Sequence, residues 1–186
     1  MTSLTDKTAL IIIDVQDGLD DPRLGKRNNP DAESNIARLL AAWRTTGRPI
    51  YHVQHMSTTP NSPLRPDQPG NAIKRIVAPQ VDEPVIQKTV NNAFIGTDLE
   101  DRLREEDIQS VVIVGLTTNH CVSTTARMAG DLGFTTFVVD DATATHDCSG
   151  YDGAHYPAET VHAISLASLH GEFATILKTD QLLDKG

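Results

Sequence analysis

A carboxylate, an ammonium group and a thiol each follow a short apolar run of the sequence. Asp14 ends ALIIID, Lys88 ends PVIQK, and Cys121 follows SVVIVG after five intervening residues. A thiolate is a strong nucleophile, but a free thiol titrates near pH 8.5 and benefits from a base near neutral pH. Asp14 is a candidate base, and Lys88 is a candidate for orienting that carboxylate and balancing its charge. These three residue types suit nucleophilic acyl transfer, if the fold brings them together.

Apolar runs that are typical of buried strands alternate with amphipathic runs that are typical of helices. Strands are predicted over 9–14, 49–55, 84–88, 110–115, 134–142 and 173–178, and helices over 31–47, 98–107, 121–133 and 158–171. Regular alternation of this kind favours a parallel sheet with helices on both faces. The predicted fold class is α/β, a three-layer α/β/α arrangement around a Rossmann-like, six-stranded parallel sheet.

This topology predicts where a site should lie. Open parallel sheets bind ligands beyond the carboxyl ends of their strands. Asp14, His55, Lys88 and the loop 116–121 end the first four predicted strands. Cys121 would open a helix, where the positive dipole end favours a thiolate and free N–H groups suit an oxyanion. A single cysteine is also a common core residue, so the hypothesis depends on all three residue types.

The composition limits the class of protein. The 186 residues predict one domain over 1–186, and the net charge of −9 disfavours a nucleic-acid or anionic-membrane partner. The apolar runs are shorter than a membrane span, and the first residues lack a signal-peptide pattern, so we expect a cytoplasmic protein. The segment 56–82 holds five of the ten prolines. We interpret it as a partly helical excursion over one end of the sheet, with a flexible surface insertion as the alternative.

Four segments carry a resemblance to a known family. They are ALIIIDVQDGL (9–19), VIQKTVNNAFIGTDLEDRL (85–103), VVIVGLTTNHCVSTTARMAGDLGF (111–134) and VVDDATAT (138–145). On these motifs the chain resembles the isochorismatase-like cysteine hydrolases, which include nicotinamidases and N-carbamoylsarcosine amidases. The resemblance covers nearly the whole chain.

The resemblance implies a role for each matching residue. Asp14 would be the general acid and base, Lys88 its partner and Cys121 the nucleophile. The backbone N–H groups of Thr117 and Cys121 would form the oxyanion hole, next to a cis peptide bond between Leu116 and Thr117. The family also implies a homodimer or homotetramer.

Substrate-contacting residues are predicted beside these three, and a metal is not. Gln16, His55, Asn92, Phe94 and His120 are the candidates, although Phe94 would also suit the core. Nicotinamidases carry an Asp-x-His metal motif after the second strand, whereas VQHMSTTP (53–60) offers a histidine without an adjacent carboxylate. We therefore predict no metal and no other cofactor. Two further residues are expected to lie outside the chemistry, His52 as a hydrogen-bonded core or interface residue and Cys148 as an incidental loop residue.

The predicted reaction is hydrolysis of an amide or ureido C–N bond of a small molecule through a thioester. Two alternatives remain. Vinyl-ether hydrolysis of the isochorismatase type needs no thiol, and a non-catalytic binding protein would use the same fold without chemistry. A dinucleotide-binding protein is disfavoured, because DVQDGLDDP (14–22) follows the first strand in place of a glycine-rich phosphate loop.

Overall fold

The computed structural model describes residues 4–184, which form a central sheet covered by helices on both faces. The sheet strands are β1 (Thr8–Ile13), β2 (Ile50–His55), β3 (Val85–Lys88), β4 (Ser110–Leu116), β5 (Thr135–Ala144) and β8 (Thr175–Leu177). Their spatial order is β3-β2-β1-β4-β5-β8, and every pair is parallel. The predicted α/β fold with six parallel strands is confirmed.

The helices form two layers, one on each face of the sheet, and each layer packs on its own hydrophobic core. The helices are α1 (Ala32–Thr46), α2 (Leu99–Glu105), α3 (Ser123–Asp131), α4 (Ala158–Leu169) and α5 (Thr179–Leu183). Strand β1 alternates its side chains between the layers, as a strand buried on both faces must. Leu10 and Ile12 pack with α1 and α5, whereas Ile11 and Ile13 pack with α2, α3 and α4. Across residues 4–184, no helix combines the length and apolarity needed to cross a membrane.

The predicted boundaries are close to the observed ones, and several short elements were not predicted, among them the 3-10 helices Asp17–Asp20 and Pro22–Leu24. Helix α5 follows β8. In the loop after β5, two strands of two residues each, β6 (Cys148–Ser149) and β7 (His155–Tyr156), pair as a hairpin. The helix expected to open at Cys121 instead begins with a π-helical turn over Thr118–Val122. Cys121 therefore lies inside a helical turn, before the regular α-helix.

Close approach of β4 to β1 shapes the carboxyl end of the sheet. Gly115 has a φ of 119°, and a Cβ atom there would lie 2.0 Å from the carbonyl oxygen of Ile13. Only glycine fits such a contact. Asp14 follows immediately with a φ of 49°, a conformation that is uncommon for a residue with a side chain. The end of β4 thus lies directly beside the residue that ends β1.

The segment 56–82 covers this same end of the sheet. It contains two short 3-10 helices, Pro69–Asn71 and Arg75–Val77. The backbone N–H of Asp17 donates to the carbonyl of Ala72, and Ile73 forms a bridge with Gln16. The excursion is therefore attached to the loop that follows β1.

Candidate active site

Three neighbouring strand ends bring together a buried ion pair and a histidine. Lys88 Nζ donates to Asp14 Oδ2 over 2.6 Å, and the two side chains are 0% and 2% exposed. The same ammonium lies 3.1 Å from His55 Nδ1 and donates to the Val90 carbonyl over 3.2 Å. Because an ammonium only donates, His55 Nδ1 must accept, so its proton is on Nε2. All three N–H bonds of Lys88 are therefore used.

The thiol of Cys121 lies against this cluster. Its Sγ, a carboxylate oxygen of Asp14 and a ring nitrogen of His55 all lie within 4.8 Å of one another. The thiol also contacts Asn91 Oδ1 at 3.8 Å. Asp14 Oδ1 is buried and accepts no hydrogen bond from any of the described residues. One oxygen of Asp14 is thus fixed by Lys88, and the other is available to a proton.

Burial dominates the protonation of the site. It raises the pKa of Asp14, and the charge of Lys88 opposes that shift. Burial and the Asp14 carboxylate raise the pKa of the Cys121 thiol. Burial and the Lys88 charge lower the pKa of His55 to about 4, which leaves its ring neutral at pH 7. The pKa of Cys121 thus shifts away from the thiolate, opposite to the direction expected from a helix start, because desolvation and the neighbouring carboxylate both raise it.

The loop that carries Cys121 is held by a second polar cluster. The Leu116–Thr117 peptide bond is cis, and the backbone N–H of Thr117 makes no hydrogen bond to any other group in residues 4–184. Thr118 Oγ1 lies 2.8 Å from His162 Nδ1, and His162 Nε2 lies 2.8 Å from Asp140 Oδ1. His162 therefore links the turn to the middle of β5.

A cavity of about 290 Å³ opens onto Cys121. One part of its lining is apolar and consists of Leu19, Leu24, Leu64 and Leu116. The polar part adds Asn91, Thr117, Asn119, His120, Thr145, His146, Asp147 and Cys148 to Asp14, His55 and Cys121. Small-molecule sites are concave and mostly apolar with a few convergent polar groups, and this cavity fits that description.

The structure separates the predicted substrate-contacting residues into two groups. His55 and His120 line the cavity, whereas Gln16, Asn92 and Phe94 do not. Gln16 is fully buried, and its amide bonds the backbone of His55 and Asn71.

Asn92 and Phe94 turn away from the cavity for a related reason. Asn92 bonds the Thr124 carbonyl and the Phe94 N–H, and the Phe94 ring stacks on Phe134 in the core. These side chains therefore complete the loops and the core around the site, and do not line its cavity.

Several cavity residues were missed or given no role. Asn91 is one position before the predicted Asn92, and the order of residues after β3 gives no means to choose between them. Cys148 lines the cavity from the loop after β5, where it was expected to be incidental. Leu24 ends a three-residue 3-10 helix and Leu64 lies in an irregular loop, so neither stretch is long enough to show a periodicity.

The other histidine of β2, His52, makes a structural contact. His52 is 1% exposed, and its Nε2 lies 2.8 Å from Glu83 Oε2. It therefore lies on the face opposite His55 and contributes nothing to the cavity.

Within the described residues, Asp14, His55 and Cys121 are the group whose donor atoms cluster closely enough to hold a metal ion. Lys88 Nζ already bonds two of the three, Asp14 and His55. A divalent ion would have to compete with this ammonium for the same atoms, so the donor set fits a metal poorly.

A thiol, a buried carboxylate–ammonium pair and a lining of mixed polarity together form a small-molecule site at the carboxyl edge of the parallel sheet. A family model described as an isochorismatase domain matches residues 8–181. The chain belongs to the isochorismatase family, whose members are hydrolases.

Relatives support this assignment over the whole length. The isochorismatase family protein YrdC of Bacillus subtilis is 51% identical over 97% of both chains. A crystal structure of an isochorismatase-family protein from Chromobacterium violaceum superposes with a TM-score of 0.95, at 42% identity, over 100% of this chain and 97% of that one. A more distant relative, Nicotinamidase 3 of Arabidopsis thaliana, is 26% identical over 94% of this chain and 86% of its own length.

Proposed function

We propose that this protein is a cysteine-dependent hydrolase that cleaves an amide or ureido C–N bond of a small molecule through a thioester. One observation carries the proposal. Asp14 keeps one oxygen on Lys88 and has the other buried and unbonded among the described residues, and its carboxylate lies in the cluster that holds the Cys121 thiol. A base must lie within reach of the proton it accepts, and this arrangement meets that condition. The nicotinamidase among its relatives is named for an amide substrate.

The first half of the reaction forms the thioester. Asp14 accepts the thiol proton as Cys121 Sγ attacks the carbonyl carbon, and the carbonyl π electrons move to oxygen. The N–H groups of Thr117 and Cys121 stabilise the resulting oxyanion. Asp14 then returns the proton to the nitrogen, the C–N bond breaks, and ammonia or an amine leaves.

The second half releases the acid. Asp14 accepts a proton from water, whose oxygen attacks the thioester carbonyl. The C–S bond breaks, the sulfur recovers a proton from Asp14, and the carboxylic acid leaves. The site thus needs one base that works in both directions.

The raised pKa values of Asp14 and Cys121 suit this sequence of steps. Burial keeps the thiol neutral in the free enzyme and makes the Asp14 carboxylate a stronger base than an exposed one. Proton transfer therefore accompanies attack on the carbonyl, and the proton acquired is later available to the leaving nitrogen.

A panel of amides and ureides with ammonia detection tests the proposal. Cys121→Ser should lower kcat/KM by at least about 10³-fold, and intact mass spectrometry of the wild-type protein should detect an acyl adduct on Cys121 during turnover. Cys148→Ser removes the other free thiol, which also lines the cavity, and is the control for adduct position: the acyl adduct should remain on Cys121.

Two results would contradict the proposal. Full activity of Cys121→Ala would favour vinyl-ether hydrolysis, which needs no thiol. Failure of Cys121 to react with iodoacetamide at neutral pH, together with no turnover of any amide, would favour a non-catalytic binding protein.

A further inference from the structure

The leucines of the cavity belong to a separate small core. Leu19 and Leu116 are buried with Ala32 and Ala144, and the partly exposed Leu24 and Leu64 pack against them. Leu24 comes from the loop after β1 and Leu64 from the 56–82 excursion. Two irregular loops therefore meet at the cavity and present aliphatic side chains to it.

The charged groups of the cavity lining are all acidic. Its charged members are Asp14 and Asp147, and the lining within residues 4–184 contains neither lysine nor arginine. The pKa of His146 is lowered by burial, and His55 is neutral at pH 7. Lys88 adjoins the site, but its three N–H bonds are directed to Asp14, His55 and Val90.

Two cations near His146 are also neutralised. Arg27 donates to both carboxylate oxygens of Glu33, over 2.6 and 2.7 Å. Lys74 donates to Glu33 and Asp20, over 2.7 and 2.6 Å. A carboxylated substrate would thus lose its hydration without gaining a free counter-charge.

From this lining we propose that the enzyme selects amides whose acyl group is short, aliphatic and uncharged, and rejects amides that carry a carboxylate. The inference rests on the proposed function and adds the substrate class to it. Leucine contacts would stabilise an aliphatic acyl group by burial. An anionic acyl group would instead face the Asp147 carboxylate and the charge-balanced Asp14–Lys88 pair, with no unpaired lysine or arginine in the described lining.

A matched pair of amides tests the selection. Isovaleramide is neutral and branched, whereas succinamate has a similar size and ends in a carboxylate. We expect kcat/KM for isovaleramide to exceed that for succinamate by about 100-fold. Leu64→Arg should narrow this ratio by about 10-fold, because it places a cation in the lining. Val81→Arg adds the same charge at a fully exposed position outside the cavity and should leave the ratio unchanged.

Alkylation of Cys121 provides a readout that does not need turnover. Iodoacetamide is neutral and iodoacetate is anionic, and the rate of each at Cys121 is divided by its rate with glutathione. We expect a normalised rate at least about tenfold higher for iodoacetamide, from exclusion of the anion.

The outcomes separate the two proposals. If succinamate is hydrolysed as well as isovaleramide or better, through an acyl-Cys121 adduct, the substrate class is wrong and the proposed function stands. If neither amide reacts, no other amide or ureide of the panel reacts, and iodoacetamide leaves Cys121 unmodified, the proposed function is wrong and the substrate class falls with it.

Discussion

In residues 4–184, Lys88 and Lys74 are each buried against a carboxylate, and the two carboxylates differ in how many of their oxygens are bonded. Lys88 lies 2.6 Å from Asp14 at the ends of β3 and β1, and Lys74 lies 2.7 Å from Glu33 beneath the loops. Glu33 Oε1 accepts from Arg27 and Lys74, and its Oε2 accepts from Arg27. In the described part of the chain, Asp14 has one oxygen bonded and the other without a partner.

This difference in contacts reverses the direction of the pKa shift. Burial raises the pKa of both carboxyl groups. For Glu33, bonds from Arg27 and Lys74 outweigh burial and lower the pKa to about 2. For Asp14, the single cation Lys88 does not outweigh burial, and the pKa remains raised. Glu33 is thus a fixed anion that anchors loops, whereas Asp14 can exchange a proton.

The largest expected difference comes from neutralising each carboxylate. Asp14→Asn should lower kcat/KM by at least about 10³-fold, because the amide oxygen still accepts from Lys88 but cannot take the thiol proton. Glu33→Gln should keep kcat/KM within about threefold and lower the free energy of unfolding by about 3 kcal/mol, because two cations lose a charged partner. Steady-state kinetics and urea unfolding check both. An equal loss of activity in folded Glu33→Gln would remove the distinction between the two pairs.

Removing the charge of each lysine should also distinguish the Asp14–Lys88 pair from the Glu33–Lys74 pair. Lys88→Met should lower kcat/KM by about 100-fold, since the carboxylate loses its orienting partner. It should also move the acidic limb of the pH–rate profile to higher pH, because the Lys88 charge is what holds the Asp14 pKa down against burial. Lys74→Met should leave that limb in place. An unmoved limb in Lys88→Met would exclude Asp14 as the titrating base.

The two carboxylates should also affect acid stability with opposite signs. The pKa of Glu33 is lowered from 4.5 to about 2, so its stabilisation is complete above pH 4.5 and is lost as the pH falls toward 2. The loss should reach about 3 kcal/mol in the free energy of unfolding, an upper value for a partly solvated group. Asp14 has the reverse sign, since its raised pKa makes the folded state bind the proton more tightly and its contribution declines as pH rises above 3.8.

Urea unfolding of wild type and Glu33→Gln at about pH 5 and about pH 2.5 measures the Glu33 contribution. The variant should lose less stability than the wild type on acidification. Parallel curves would show that other groups control the acid transition.

The smallest expected effect is at His55, which contacts Lys88 and lines the cavity. His55→Ala removes an acceptor from the ammonium and should lower kcat by about tenfold. His55→Asn places an amide oxygen near the former Nδ1 position and should recover kcat to within about threefold of wild type. The pair is compared by kcat and by the pH–rate profile. Equal losses in both variants would show that ring packing, and not the acceptor, is what matters.

Sequence periodicity was sufficient for the sheet and its helices because buried parallel strands are continuous apolar runs. It was less informative about short elements. Helix α5 has five residues and the β6–β7 hairpin has two residues per strand, too few to show a period. The π-helical turn at Thr118–Val122 is likewise a local choice that no apolar spacing encodes.

The sequence by itself determined that Asp14, His55, Lys88 and Cys121 would be near one another, because carboxyl ends of adjacent parallel strands share one edge. Only the tertiary structure decided their protonation, since burial and the number of cationic partners depend on contacts from distant parts of the chain. It also decided which loop residues line the cavity. Leu24 and Leu64 lie 40 positions apart and meet only because the loops that carry them pack on Leu19 and Leu116. The type of chemistry was thus local in sequence, whereas the selectivity proposed for it depends on long-range packing.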